Sequence, residues 1–424
     1  MTLLVLVFFG LLFAGIPISF ALLAAGLGYL MTAPRLNMMV GPQQLIDSID
    51  SFPLLAVPFF LLAGTLMNEA GVTQHLITLA RSLIGHIRGG LAHTVVLAGA
   101  LMAGGSGSGT ADSAALGTVM IPQMKKEGFS APFAVVLTAC AGSLAPIIPP
   151  SIMFILYGHL GNVSVGELFM AGIVPGVMFA ACLIVISYVV SVRNRYGTVS
   201  KRASPGDMAR ALGVSLLDLM LPVIIMGGIV GGVFTPTEAG AVAVLYVLFL
   251  GVVVYRVLTL QKILNSLRDS IVILGAVMLI ISAAGLAQFI LALMQAGDLL
   301  AASFVSLTEN PYVFLLLASL LLLVLGMVLE VTAVLVLMTP ILVPALVQYG
   351  IDPVHFGVVM IICLTIGLLT PPVGLSMFVT CAIGRVRVED YSRAVVPFLL
   401  VLLGLLVLLV LVPQIVLWLP HLVR

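Results

Sequence analysis

Long apolar stretches alternate with short polar ones along the whole chain. The polar stretches fall near 33–50, 69–75, 81–92, 124–131, 159–167, 192–211, 233–240, 256–270, 297–311, 347–354, 384–395 and 420–424. Crossing the hydrocarbon of a bilayer as one helix takes about 20 mostly apolar residues. The pattern therefore predicts an all-α, polytopic membrane protein. The run 1–31 lacks a basic start, is too long for the apolar segment of a signal peptide and is followed by no cleavage signal, so it reads as a retained first span. Several later stretches are interrupted internally by Gly, Pro and Ser, most visibly 93–124 and 312–346.

Composition narrows the class. Of 424 residues, 62% are hydrophobic and 8% charged, and the mean hydropathy is +1.30. A soluble domain needs about 25% charged residues to cover its surface, and a disordered chain is poor in apolar residues, so both are excluded. A net charge of +1 provides no field for nucleic acid. Cys140, Cys182, Cys363 and Cys381 are isolated in apolar runs without CxxC spacing, which reads as apolar packing rather than metal or disulfide chemistry. The six histidines form no ligand pattern, and no organic cofactor is implied.

The few basic residues orient the chain, because Lys and Arg collect on the cytoplasmic side. With a cytoplasmic N-terminus, 93–124 as a re-entrant hairpin from inside and 312–346 as one from outside, 15 of the 17 basic residues lie inside, leaving only Arg35 and Arg424 outside. Residues 256–269, and more briefly 201–212, are expected as amphipathic helices on the cytoplasmic surface or as basic loops.

The chain also repeats itself. At an offset of 222, Gly104 falls on Gly326, Thr110 on Thr332, Ala111 on Ala333, Pro122 on Pro344, Gly128 on Gly350, Ser143 on Thr365, and Pro149-Pro150 on Pro371-Pro372. Pro17 and Pro236 correspond at 219. Together with the charge map, the halves read as inverted repeats, each with one hairpin and one broken helix, and such repeats point to a secondary transporter with its site at midplane.

Irregular backbone at membrane depth is tolerated only where it is buried or lines a cavity. Proline frees carbonyl oxygens from helical bonds and glycine lets backbone approach a ligand. Carbonyls and hydroxyls there suit a hard cation such as Na+, and the half-helix N-termini suit an anion. The expected Na+ cages are Ser106, Gly107, Ser108, Ser143 and Pro146 in the first half and Gly326, Val328, Thr332, Gly367 and Thr370 in the second. The anionic substrate is expected between them, at Gly105, Thr110, Pro149, Pro150, Ser151, Glu330, Pro371, Pro372 and Ser376. Intramembrane acids are functional candidates. Asp112 reads either as a cation or proton ligand or as a helix cap, Glu330 as a ligand near the second hairpin tip, and Glu238 as a cap. An enzyme would need a nucleophile and a base, and no histidine has a route to the GGSGSGTAD run, so the chain is read as no enzyme.

APIIPPS at 145–151, FTPTEAGAVA at 234–243, LLTPPVG at 368–374 and SGS at 106–108 resemble the large membrane subunit (DctM type) of tripartite ATP-independent periplasmic (TRAP) transporters, over essentially the whole chain. The resemblance implies an elevator transporter of the bacterial inner membrane. It implies Na+-coupled uptake of an organic acid such as a C4-dicarboxylate or sialic acid, a separate small four-helix membrane subunit, and a periplasmic solute-binding protein. The other reading is a stand-alone carboxylate carrier. Glu330, Ala333 and Ser376 depart from the family pattern, where Asp, Pro and Asn are common. The expected division is scaffold at 1–92, a transport unit at 93–160, scaffold at 161–311, a second transport unit at 312–384 and a scaffold helix at 385–424.

Overall fold

A computed structural model describes residues 2–33, 37–197, 203–295 and 308–423. Among the described residues there are 19 α-helices and no strand. They are α1 Thr2–Phe13, α2 Ile18–Thr32, α3 Val40–Asp47, α4 Ala56–Glu69, α5 Val72–Ile84, α6 Gly90–Ser106, α7 Gly109–Lys126, α8 Ala131–Gly142, α9 Ile152–Leu160 and α10 Val165–Arg193. The second half supplies α11 Pro205–Val230, α12 Pro236–Phe249, α13 Leu260–Leu293, α14 Pro311–Val328, α15 Val331–Tyr349, α16 Pro353–Gly367, α17 Leu375–Gly384, α18 Val388–Leu411 and α19 Pro413–Val423. Eight helical segments are long and apolar enough to cross a membrane. Several helices begin with Pro just behind a capping side chain, as at Ser204, Thr235, Asn310 and Asp352. There proline's missing N–H costs nothing and the cap satisfies an orphan donor.

The repeat is visible in the element order. Helices α7 and α15 begin at 109 and 331, α8 and α16 at 131 and 353, α10 and α18 at 165 and 388. Helices α8 and α16 form the centre, with Phe133 to Gly142 and Val354 to Gly367 all buried. The halves interlock: α7 packs on α17, and α15 packs on α9. Tyr157 of α9 ties them further, donating to the Pro353 carbonyl at 2.7 Å. Around one side stand α2, α3, α4, α5, α11, α12 and α13, packed on one another, with α5 also against the hairpin arm α6.

Two expectations change. The run 1–31 is two helices that pack along each other, because Gly15 turns through φ +84° and Pro17 offers no N–H to continue α1. Residues 260–269 are the first turns of the 34-residue α13 rather than a separate surface helix, since no Gly or Pro interrupts them. Likewise α11 runs unbroken from Pro205, while Lys201 and Arg202 lie outside the described residues. Helices α10 and α18, which lie in segments assigned to the scaffold from sequence, pack against α6, α8 and α16. Apolarity places a helix in the bilayer but does not select its neighbours.

Candidate functional site

Each hairpin turns at a tip built from local chemistry. Helix α6 stops at Gly107, whose φ of +62° is a left-handed position. A side chain there would sit 3.0 Å from the Ile152 backbone nitrogen. Ser108 is extended and caps α7, its hydroxyl accepting from the Ala111 N–H at 3.4 Å with the Thr110 hydroxyl also 3.4 Å away. The Ser106 hydroxyl accepts from the Ser108 N–H at 3.4 Å. Three predicted hydroxyls thus gather at one turn. The second tip is built differently: Leu329 is extended and Glu330 caps α15. The Glu330 carboxylate accepts from the Ala333 N–H at 3.0 Å and from the Thr332 hydroxyl at 2.9 Å.

The broken helices lie beneath the tips. After α8 the Ser143 hydroxyl donates to the Cys140 carbonyl at 2.8 Å, leaving its lone pairs unused. Ser151 caps α9, accepting from the Met153 N–H at 3.2 Å and donating to the Pro146 carbonyl at 2.7 Å. In the second half the Thr370 hydroxyl donates to the Ile366 carbonyl at 2.7 Å. The peptide bonds Pro149-Pro150 and Pro371-Pro372 are both cis.

Tip and break meet closely within each half. A Cβ on Gly109 would lie 3.3 Å from Pro146, and one on Gly104 3.5 Å from the Pro149 carbonyl oxygen. A Cβ on Gly367 would lie 2.6 Å from the Gly326 carbonyl carbon, and the Val373 N–H donates to the Met327 carbonyl at 3.2 Å. Leu368 of the second break reaches Gly109 of the first tip, 3.3 Å from where its Cβ would be, so the halves touch here. Tip and break are thus in contact within each half, and Gly105 of the first tip packs on Met67 of α4. The predicted residues differ in exposure: Pro149 and Pro150 are buried, whereas Pro372 is exposed and Val328 is 47% exposed.

Other polar groups sort into structure and candidates. Glu238 forms a capping box with Thr235, as expected. His75 pairs with Asp218 at 3.0 Å, the His93 ring nitrogens lie 3.1 Å from the Ser187 hydroxyl and 3.2 Å from the Arg88 carbonyl, and His355 bonds the Leu409 carbonyl at 2.9 Å, all structural roles. Among the described residues no group of three His, Cys, Asp or Glu is placed to hold a metal. Two buried hydroxyls at the second break, Ser376 and Thr365, have no hydrogen-bond partner. Thr365 was missing from the predicted cages although it stands opposite Ser143 in the repeat, which was the signal for it. Asp112 is not a cap, since Ser108 fills that position, and both its carboxylate oxygens are buried without a partner.

The family described as "Tripartite ATP-independent periplasmic transporter, DctM component" matches residues 5–415. The sialic acid TRAP transporter large permease protein SiaM of Vibrio cholerae is 42% identical over 413 residues, covering 97% of this chain and 96% of the relative. The 2,3-diketo-L-gulonate TRAP transporter large permease protein YiaN of Escherichia coli is 36% identical over 416 residues, covering 97% of this chain and 98% of the relative. In fold, the chain is similar to the YdaH transporter of Alcanivorax borkumensis, with a TM-score of 0.64 at 17% identity over 87% of each chain.

Proposed function

The chain belongs to the DctM-component family of tripartite ATP-independent periplasmic transporters and is a multi-pass membrane permease rather than an enzyme, and from that premise we propose that it carries an organic carboxylate inward by Na+-coupled symport. The observation that carries this reading is the pairing of tip and break in each half. At both places neutral oxygens gather, and α7, α9, α15 and α17 all begin there. Helix N-termini present unpaired N–H groups and a positive dipole end to an anion. Hydroxyls such as Ser143, Thr365 and Thr370 and the freed carbonyls beside them present oxygen to a small hard cation.

The relatives' names indicate the class of cargo: sialic acid and 2,3-diketo-L-gulonate are both hydroxylated acids, and C4-dicarboxylates share the carboxylate. The moving unit of an elevator is α6 to α9 with α14 to α17, and by packing α10 and α18 travel with it. The helices α2 to α5 and α11 to α13 form the frame. The halves are inverted across the inner membrane, with the first hairpin opening to the cytoplasm. Because α1 folds back along α2, the start of α1 then lies on the outer side, opposite to the side first expected for the N-terminus.

Reconstitution tests this directly. The permease, its small membrane subunit and the periplasmic binding protein are placed in vesicles, and uptake of labelled sialic acid or a C4-dicarboxylate is followed. Uptake should require an inward Na+ gradient and the binding protein. Full uptake on a proton gradient alone overturns the Na+ assignment, and uptake without the binding protein establishes the stand-alone carrier.

A further inference from the structure

The tip of the first hairpin does not touch only its own half. It also presses on α4, where a Cβ on Gly64 would lie 3.1 Å from the Ser106 Cα, and Gly105 packs on Met67. Beside this contact is a small space of about 10 Å³ reached by Asp112 and Ser106 from the hairpin, by Asn68 from the last turn of α4 and by Thr73 from the first turn of α5. That is room for about one water-sized particle.

Its polar groups are set among the apolar Gly64, Met67, Val72 and Met102. Asp112 is 0% exposed, and its carboxylate has no donor near it beyond the Ser106 hydroxyl of its own hairpin. Among the described residues no Lys, Arg or His pairs with it. The Thr73 hydroxyl gives its only proton to the Asn68 carbonyl oxygen at 2.9 Å, so both oxygens meet the space as acceptors. A buried, unpaired carboxylate facing further acceptors is strongly unfavourable. A cation between them reverses the sign of every one of these interactions.

We propose that Asp112, Asn68 and Thr73, with Ser106 shared from the edge of the first neutral cage, form a further site for one Na+-sized monovalent cation at the contact between hairpin and frame. A single carboxylate with neutral oxygens matches a single positive charge. Two ligands ride on the hairpin and two belong to the frame, so the site exists only while the tip is seated on α4. Its ion therefore holds the moving unit at that end of its travel. The inference rests on the Na+ reading above.

Equilibrium binding of ²²Na⁺ to the purified permease with its small subunit, against a choline background, tests it. Asp112→Asn should bind one ion fewer per permease chain than wild type. Thr73→Val and Asn68→Ala lie on the frame, away from both cages, and should raise the half-saturating Na+ concentration about two- to tenfold, as expected for losing one polar contact. An unchanged ion count in Asp112→Asn with unchanged half-saturation overturns the site but leaves Na+ coupling standing. Absence of ²²Na⁺ binding by wild type overturns both. Should Asp112→Asn fail to fold, the two frame variants carry the test, and unchanged half-saturation in both rejects the site.

Discussion

Gly367 shows how much depends on the absence of one methyl group. A Cβ there would stand 2.6 to 2.8 Å from Gly326 backbone atoms on a facing helix, and neither backbone can give way as a side-chain end could. Gly367→Ala should destabilise the permease by about 1–3 kcal/mol, the range for overpacking a filled interior, and abolish uptake. Thermal melting and transport assays read both effects. Gly404→Ala on α18 is the matched control: nothing lies within 4 Å of its Cβ, so melting and uptake should hold. The residue scale also separates two acids that look alike in sequence. Glu238 is occupied by its capping box, so Thr235→Ala should cost about 1 kcal/mol without moving the Na+ dependence of uptake. A shifted Na+ half-saturation in that variant would argue against a purely capping role.

At the scale of elements, the breaks were legible because their causes are local. A Gly run, a Pro-Pro pair or a Ser before a helix acts within a turn of its own position, so the hairpin arms α6, α7, α14 and α15 and both broken helices fall where residue types put them. The caps Ser108 and Ser151 were readable as hydroxyls but not as acceptors of particular N–H groups. What could not be read is which apolar face meets which: α1 against α2, or α10 and α18 against the hairpin core. Lipid and a neighbouring helix are equally apolar, so hydropathy is silent on that choice. The contact between α9 and α16 belongs to this hidden layer. Tyr157→Phe removes this 2.7 Å bond, while the Pro353 carbonyl stays within the first turn of α16, and should destabilise the protein by about 0.5–1.5 kcal/mol, the net worth of one hydrogen bond. Melting should fall while Na+ half-saturation stays fixed; unchanged melting would mean that water replaces the hydroxyl.

For the whole molecule, the decisive geometry is the meeting of frame and moving unit at Gly64. If the unit travels past α4, a β-branched side chain there should block seating, since even a Cβ lies 3.1 Å from Ser106. Gly64→Val should stop uptake while the protein still assembles with its small subunit, and a cysteine placed at Asn68 should react faster with a water-soluble maleimide than in the Gly64 background. Equal reaction rates would show that the tip still seats. The repeat also records a history. From Gly104 to Pro150 the halves keep an offset of 222 without a single insertion, whereas Pro17 and Pro236 sit at 219. If both halves descend from one duplicated gene, the lineage accepted length changes in the frame and none between hairpin and Pro-Pro pair. Frame loops are then the natural places for engineered tags or fused domains, and the hairpin units the places where even one added residue should be fatal.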